Sequence, residues 1–303
     1  MNAAIAQFFA SYSNIIDLCL LNSLIAYGLF LALSANMFSL ATGGFMALGA
    51  YCSVYMTMEL GLPFASAVLA GAILGAAAAA LIGTPVLRLR GDYFMLATFA
   101  FTEVIRVVAL NWDAVTGGAL GIVNIPRYTQ TWHLALALIV VVYVVHTLRG
   151  CYFGRAIAAI KQDDVVAQTM GVNVFAYRLS LFVASGFICG AAGALAAHLN
   201  YFVGPGDFGL VRSVDALTYP ILGGVSALAG PVVGAVFTTI LPEALRFSNQ
   251  LREILMGALV VAVVLYLPDG ALSVLKLRWR SGKSQGGKSQ GGNVATATPR
   301  TER

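Results

Sequence analysis

The chain has 303 residues, of which 59% are hydrophobic and only 10% charged, and it carries a net charge of +5. A soluble domain has about 25% charged residues, so this composition excludes a water-soluble globular protein and places most of the chain in a bilayer as spanning helices. Seven of the 18 Lys and Arg residues fall in 276–303, so the basic balance belongs to the tail and predicts no nucleic-acid partner.

Apolar blocks long enough to cross about 30 Å of hydrocarbon as a helix recur along the chain. In order they cover 14–34, 37–58, 63–84, 93–111, 131–148, 179–200 and 253–269. No Lys or Arg precedes Arg88, so the N-terminus lacks the basic region of a secretory signal. The stretch 36–44, "NMFSLATGG", is a candidate re-entrant turn. "GAILGAAAAALIG" and "GFICGAAGALAAH" place Gly71 with Gly75, and Gly186 with Gly190, at G-x-x-x-G spacing. Such spacing predicts close helix packing inside the bundle rather than between subunits. Segment 217–241 is interrupted by Pro220, Gly223, Gly224, Gly230 and Pro231, and predicts two short helices meeting at a break. The expected fold is therefore an all-α polytopic membrane protein of about eight transmembrane helices, with a broken-helix hairpin near 217–241. Residues 1–275 form the membrane domain, and 276–303 a disordered basic tail.

Orientation follows from loop cations. Arg88, Arg90, Arg149, Arg155, Lys161, Arg178, Lys276, Arg278 and Arg280 fall on one face if the helices alternate and 217–241 makes a hairpin. Arg127, Arg212, Arg246 and Arg252 fall on the other. The richer face is the cytoplasmic one, with the C-terminus on it and the N-terminus outside. A true re-entrant turn at 36–44 would reverse the N-terminal side.

Few residues offer chemistry. "GKSQGGKS", residues 282–289, spells the phosphate-binding pattern G-x-x-x-x-G-K-S. No strand precedes it and no helix follows it, so the structural conditions for cradling phosphates are missing. Cys19, Cys52, Cys151 and Cys189 have no metal or redox spacing and read as apolar packing residues. No catalytic set converges, and no cofactor or metal site is predicted. Glu103 and Arg106 lie mid-span, three apart on one helix face, as a polar element of a pathway or a structural ion pair. Asp17 and Glu59 fall near span ends and read as interfacial. His198 reads as a hydrogen-bonded helix-end residue. The polar loop 149–178 contains one short amphipathic helix, "GRAIAAIKQDDVVAQTM", stopped by Gly171. Asp163 and Asp164 in its middle disfavour an anionic lipid surface and favour docking to another protein.

Four stretches, "FSLATGGFMALGAY", "RLRGDYFMLATFAFTEVIRVVALNWDAVTGGALGI", "GRAIAAIKQDDVVAQTMGVNVFAYRLSLFVASGFICGAAGALAAH" and "YPILGGVSALAGPVVGAVF", resemble the permeases of bacterial ABC importers for branched-chain amino acids, of the LivM type. The likeness runs from about 34 to 270. It implies a multi-pass subunit of the bacterial inner membrane that is not itself an enzyme. Its implied partners are a LivH-like second permease, two cytoplasmic ATPase subunits, a periplasmic binding protein and membrane lipid. It also implies that 149–178 is the ATPase-coupling loop. Against that family's Glu-Ala-Ala-x-x-x-Gly pattern, Gly171 matches the Gly and Ala167 the second Ala, whereas Val165 and Val166 replace Glu and Ala, with Asp164 one place earlier. Arg155, Asp163, Asp164, Ala167 and Gly171 are the expected coupling residues. Other readings are a urea or short-chain amide importer permease and an ATPase-independent secondary transporter, for which Glu103 is the one obvious mid-span carboxylate.

Overall fold

The computed structural model describes residues 2–244, except 90 and 226, and residue 257. Eleven α-helices follow one another in these residues: α1 (Asn2–Ser34), α2 (Thr42–Met58), α3 (Phe64–Val86), α4 (Asp92–Asn111), α5 (Asp113–Thr116), α6 (Thr131–Gly150), α7 (Tyr152–Gln162), α8 (Asp164–Thr169), α9 (Val174–Asn200), α10 (Leu210–Gly223) and α11 (Gly230–Ala244). Five stretches are long and apolar enough to span: 13–34 in α1, and all of α3, α4, α6 and α9. They coincide with the apolar blocks of the sequence, and α2 with its lead-in and the α10–α11 hairpin account for two more. The block 253–269, the cations Arg90, Arg246, Arg252, Lys276, Arg278 and Arg280, the "GKSQGGKS" stretch and the tail 276–303 lie outside the described residues.

Helix α9 is the axis of the bundle, packed by α1, α2 and α3. Glycines decide how close these helices come. A Cβ added at Gly71 would stand 2.7 Å from the Gly49 carbonyl oxygen, and one at Gly190 2.7 Å from that of Gly71. Gly75 opposes Gly186 in the same way, at 2.5 Å. No side chain fits, so α2, α3 and α9 touch backbone to backbone, the contact that drives association where lipid removes any hydrophobic force. Both G-x-x-x-G pairs are thus spent on packing within the chain.

Helix ends sort into two faces. On one lie the α1 C-terminus, the α3–α4 turn, the end of α6, all of α7 and α8, and the start of α9. Asn36 Nδ2 donates to the Lys161 carbonyl there at 3.0 Å, and Arg178 pairs with Asp164 at 2.8 Å. On the other face Phe64 meets His198 and Tyr128, and Arg127 reaches Asp17 at 3.4 Å. Two short strands, β1 (Ile122–Val123) and β2 (Phe202–Val203), pair antiparallel across this second face and add a small β element to the all-α expectation. Arg88, Arg149, Arg155, Lys161 and Arg178 share the first face, as alternation requires.

Two expectations are corrected. The block 37–58 is helical only from Thr42. Residues 37–41 return into the bundle as irregular chain, and α2 then completes the crossing, so the stretch 36–44 does not reverse the alternation. Irregular backbone at membrane depth must find partners in protein. Leu40 N–H donates to Thr98 Oγ1 at 3.0 Å, Thr102 Oγ1 donates to the Leu40 carbonyl at 2.7 Å, and Gly43 N–H donates to Ser213 Oγ at 3.1 Å. Asp17 stands near the end of its span, as expected, and is buried there with Arg127 as its ion-pair partner. Cys151 is not a packing residue, since it is exposed at the α6–α7 junction. The hairpin stands as expected. Gly224, at φ +99°, ends α10, and Pro231 occupies the first turn of α11, where its missing N–H costs nothing. It is seated on α1 by Tyr27 Oη donating to the Leu228 carbonyl at 2.7 Å and Asn22 Nδ2 to Thr239 Oγ1 at 3.0 Å.

Candidate functional site

The 149–178 loop holds two helices where its composition suggested one. Asp163 makes the difference. Its backbone is extended, at φ −158° and ψ 121°, and its Oδ1 accepts from the N–H groups of Val165 at 2.7 Å and Val166 at 3.2 Å. An Asp that can satisfy two free N–H groups ends one helix and starts the next. The far end of α8 is closed equally tightly. Gly171 N–H donates to the Gln168 carbonyl at 3.0 Å and Val172 N–H to the Ala167 carbonyl at 3.1 Å, while Gly171 takes φ +81°. This is the paired C-terminal cap that glycine permits. Between the caps, Ala167 is buried against Ile160 of α7 and Val174 of α9, with Val172 beside it.

The expected site residues are therefore brought together in part. Asp163 and Gly171 bound α8, Ala167 is its foot, and Asp164 fastens it to Arg178 of α9. Arg155 stands apart, exposed on α7, its guanidinium carbon 5.9 Å from the centroid of the Tyr152 ring. What the sequence reading missed is the outward face. Val165, Val166 and Met170 are 66%, 51% and 77% exposed, an apolar knob on a six-residue helix. With Ala167 recognised as the buried side, the helical spacing of these three would have revealed it. Beside α8 opens a cleft of about 560 Å³, bordered by Asn36, Asp92, Asp164 and Arg178.

Glu103 and Arg106 form an ion pair on α4, Nε to Oε2 at 2.8 Å, with side chains 27% and 37% exposed. Gly209 lies over them. A Cβ there would come within 3.4 Å of Arg106 Cδ, so a larger residue would press on the pair. Exposed Asp207 and Asp215 lie in the loop before α10 and on α10 itself. The α4–α10 side thus carries charge, whereas α3 has no charged residue and α6 none before Arg149. Exposed Leu69, Ile73, Leu136, Ile139 and Val144 on α3 and α6 suit hydrocarbon. His198 is a buried hydrogen-bonded residue as expected, 3.0 Å from Ser53 Oγ and 3.2 Å from the Pro126 carbonyl.

Comparison with known proteins gives a consistent result. The family model described as "Branched-chain amino acid transport system / permease component" matches residues 11–264. The chain is 29% identical over 288 residues to the high-affinity branched-chain amino acid transport system permease protein LivM of Salmonella typhimurium, covering 83% of this chain and 68% of that one. It is 27% identical over 128 residues to the corresponding LivH protein of Escherichia coli, 41% of each chain. Among solved structures, PsaBC from Streptococcus pneumoniae in complex with Fab superposes with a TM-score of 0.50 at 14% identity, over 90% of this chain and 99% of that one, a likeness of fold alone.

Proposed function

The chain belongs to the family of branched-chain amino acid transport system permease components, and on that premise we propose that it forms, with a LivH-like second permease, the passage for leucine, isoleucine and valine through an ABC importer. It is a transport subunit and not an enzyme; ATP is hydrolysed on separate ATPase subunits. A binding protein delivers the substrate on the Arg127 face, and the ATPases act on the face that carries α7 and α8, the cytoplasmic one by its cations. The family match favours amino acids over urea or short-chain amides and leaves an ion-driven transporter without support.

One observation carries the mechanism: α8 is a doubly capped helix presenting an apolar knob to the outside while its foot is fixed to the bundle. Val165, Val166 and Met170 supply the surface that an ATPase subunit grips. Force on α8 reaches α9 through Asp164–Arg178, and α1 through α7 and the Asn36–Lys161 bond. These are the two spans most buried in the bundle, so moving α8 biases the packed core rather than a peripheral helix. ATP shifts the access equilibrium by as much as the ATPases differ in affinity for its two states. The half-exposed Glu103–Arg106 pair is too costly to face lipid and lies against the second permease or the aqueous passage.

Co-purification tests this reading. The tagged chain expressed with candidate partners retains a LivH-like permease and two ATPases through gel filtration, and the retained complex hydrolyses ATP faster when a leucine-loaded binding protein is added. A chain that purifies alone, or a complex stimulated by a urea-loaded binding protein and not a leucine-loaded one, contradicts it.

A further inference from the structure

We propose that the α1–α6–α7 corner holds an anionic phospholipid, its headgroup on Arg149 and Lys161 and an acyl chain in the furrow between α6 and α9. At the α8 end of the bundle a cavity of about 370 Å³ is lined by Arg149, Lys161, Phe30 and Ser34. The Arg149 guanidinium lies over the Phe30 ring, 4.6 Å from its centroid, which holds it at the cavity wall. Among the described residues the ion pairs are Arg106–Glu103, Arg127–Asp17 and Arg178–Asp164, so neither Arg149 nor Lys161 has a carboxylate partner. Two exposed cations without a carboxylate partner among the described residues, set beside an apolar wall, offer an anion a site.

The wall identifies the kind of anion. Leu31, Val145 and Leu148 border this cavity and also a second one of about 380 Å³. The second runs between α6 and α9 and is bordered by aliphatic and aromatic side chains apart from Ser180. A cationic pocket at the interface, opening into an apolar furrow on the uncharged side of the bundle, matches a phospholipid end to end, and basic pockets between spanning helices on the cytoplasmic side take such headgroups. A free phosphate would leave the furrow empty. The chain's own tail is basic and repelled by the same two cations. An acidic segment of an ATPase would satisfy the cations and not the furrow. Because α7 forms one wall, a bound lipid would brace α7 against α1 and α6, the route by which α8 reaches the core. The inference uses the permease reading only to name the face as cytoplasmic.

Native mass spectrometry of the purified full chain in detergent, offered phosphatidylglycerol or phosphatidylcholine, tests it without any transport assay. The chain should retain one phosphatidylglycerol in preference to phosphatidylcholine, and raised salt should weaken retention. Each cation near the surface contributes roughly fivefold, so Arg149→Gln with Lys161→Gln should lower retention about 25-fold, while Arg88→Gln, which removes a cation on the same face outside the cavity, should leave it intact. If the double variant does not fold, Arg149→Lys with Lys161→Arg keeps the charges and should keep the lipid. Equal retention of the two lipids, salt-independent retention, or wild-type retention by the double Gln variant would overturn the proposal. So would displacement of the lipid on adding ATPase subunits, which would assign the cations to a protein partner.

Discussion

Replacing Asp163 by Ala removes the side chain that starts α8. Helices shorter than about 12 residues are marginal on their own, and α8 has six, so its caps and its foot decide whether it forms. Asp163 satisfies two N–H groups, of Val165 and Val166. Loss of such a cap costs about 1 kcal/mol, roughly a fivefold fall in the ratio of formed to unformed α8. Asn caps about as well as Asp, so Asp163→Asn loses only the favourable charge at the helix start, a few tenths of a kcal/mol. If a formed α8 is what the ATPases grip, and α8 is marginal in the free permease, their affinity for the permease pair should fall by up to about fivefold in Asp163→Ala and less than twofold in Asp163→Asn. Titration of labelled ATPase subunits onto the permeases in nanodiscs reads both. Equal loss in the two variants would show that the carboxylate contacts the partner directly, and no loss in Asp163→Ala would remove α8 as the handle.

Gly171→Ala should cost about 1 kcal/mol, because φ +81° is strained for any residue with a Cβ although the space around it is open; ATPase stimulation should fall while the subunit remains inserted, and Gly171→Asn should fall between it and wild type. Gly190→Leu should prevent α9 from closing on α3, since even a Cβ there stands 2.7 Å from the Gly71 carbonyl oxygen; the expected outcome is loss of a monodisperse peak in detergent size exclusion, and a normal peak would contradict the backbone-contact account. Glu103→Gln alone should weaken assembly with the second permease more than Glu103→Gln with Arg106→Gln, because the single change strands a charge; assembly measured by co-purification checks the order.

The spans and the hairpin were legible in the sequence because a spanning helix is written in a contiguous apolar run, and Pro220, Gly224 and Pro231 mark a break locally. The glycine seams were legible as spacing. The helix break at Asp163 was not, because "IKQDDVVAQ" is good helical composition and the choice between continuing and capping rests on where the foot Ala167 finds Ile160 and Val174. Residues 37–41 read as helix because they are mostly apolar. Their irregular course depends on hydroxyls of Thr98, Thr102 and Ser213 that lie far away in the chain. The partner of Asp17 is hidden for the same reason, since Arg127 is 110 residues distant.

The proposed function has this chain carry branched-chain amino acids on power supplied by partner subunits. Proteoliposomes containing the chain, its LivH-like partner and both ATPases, given the binding protein outside and ATP inside, test it most directly. The expected result is ATP-dependent accumulation of radiolabelled leucine, competed by isoleucine and valine and not by urea. Accumulation without ATP, or of urea in place of leucine, would contradict it.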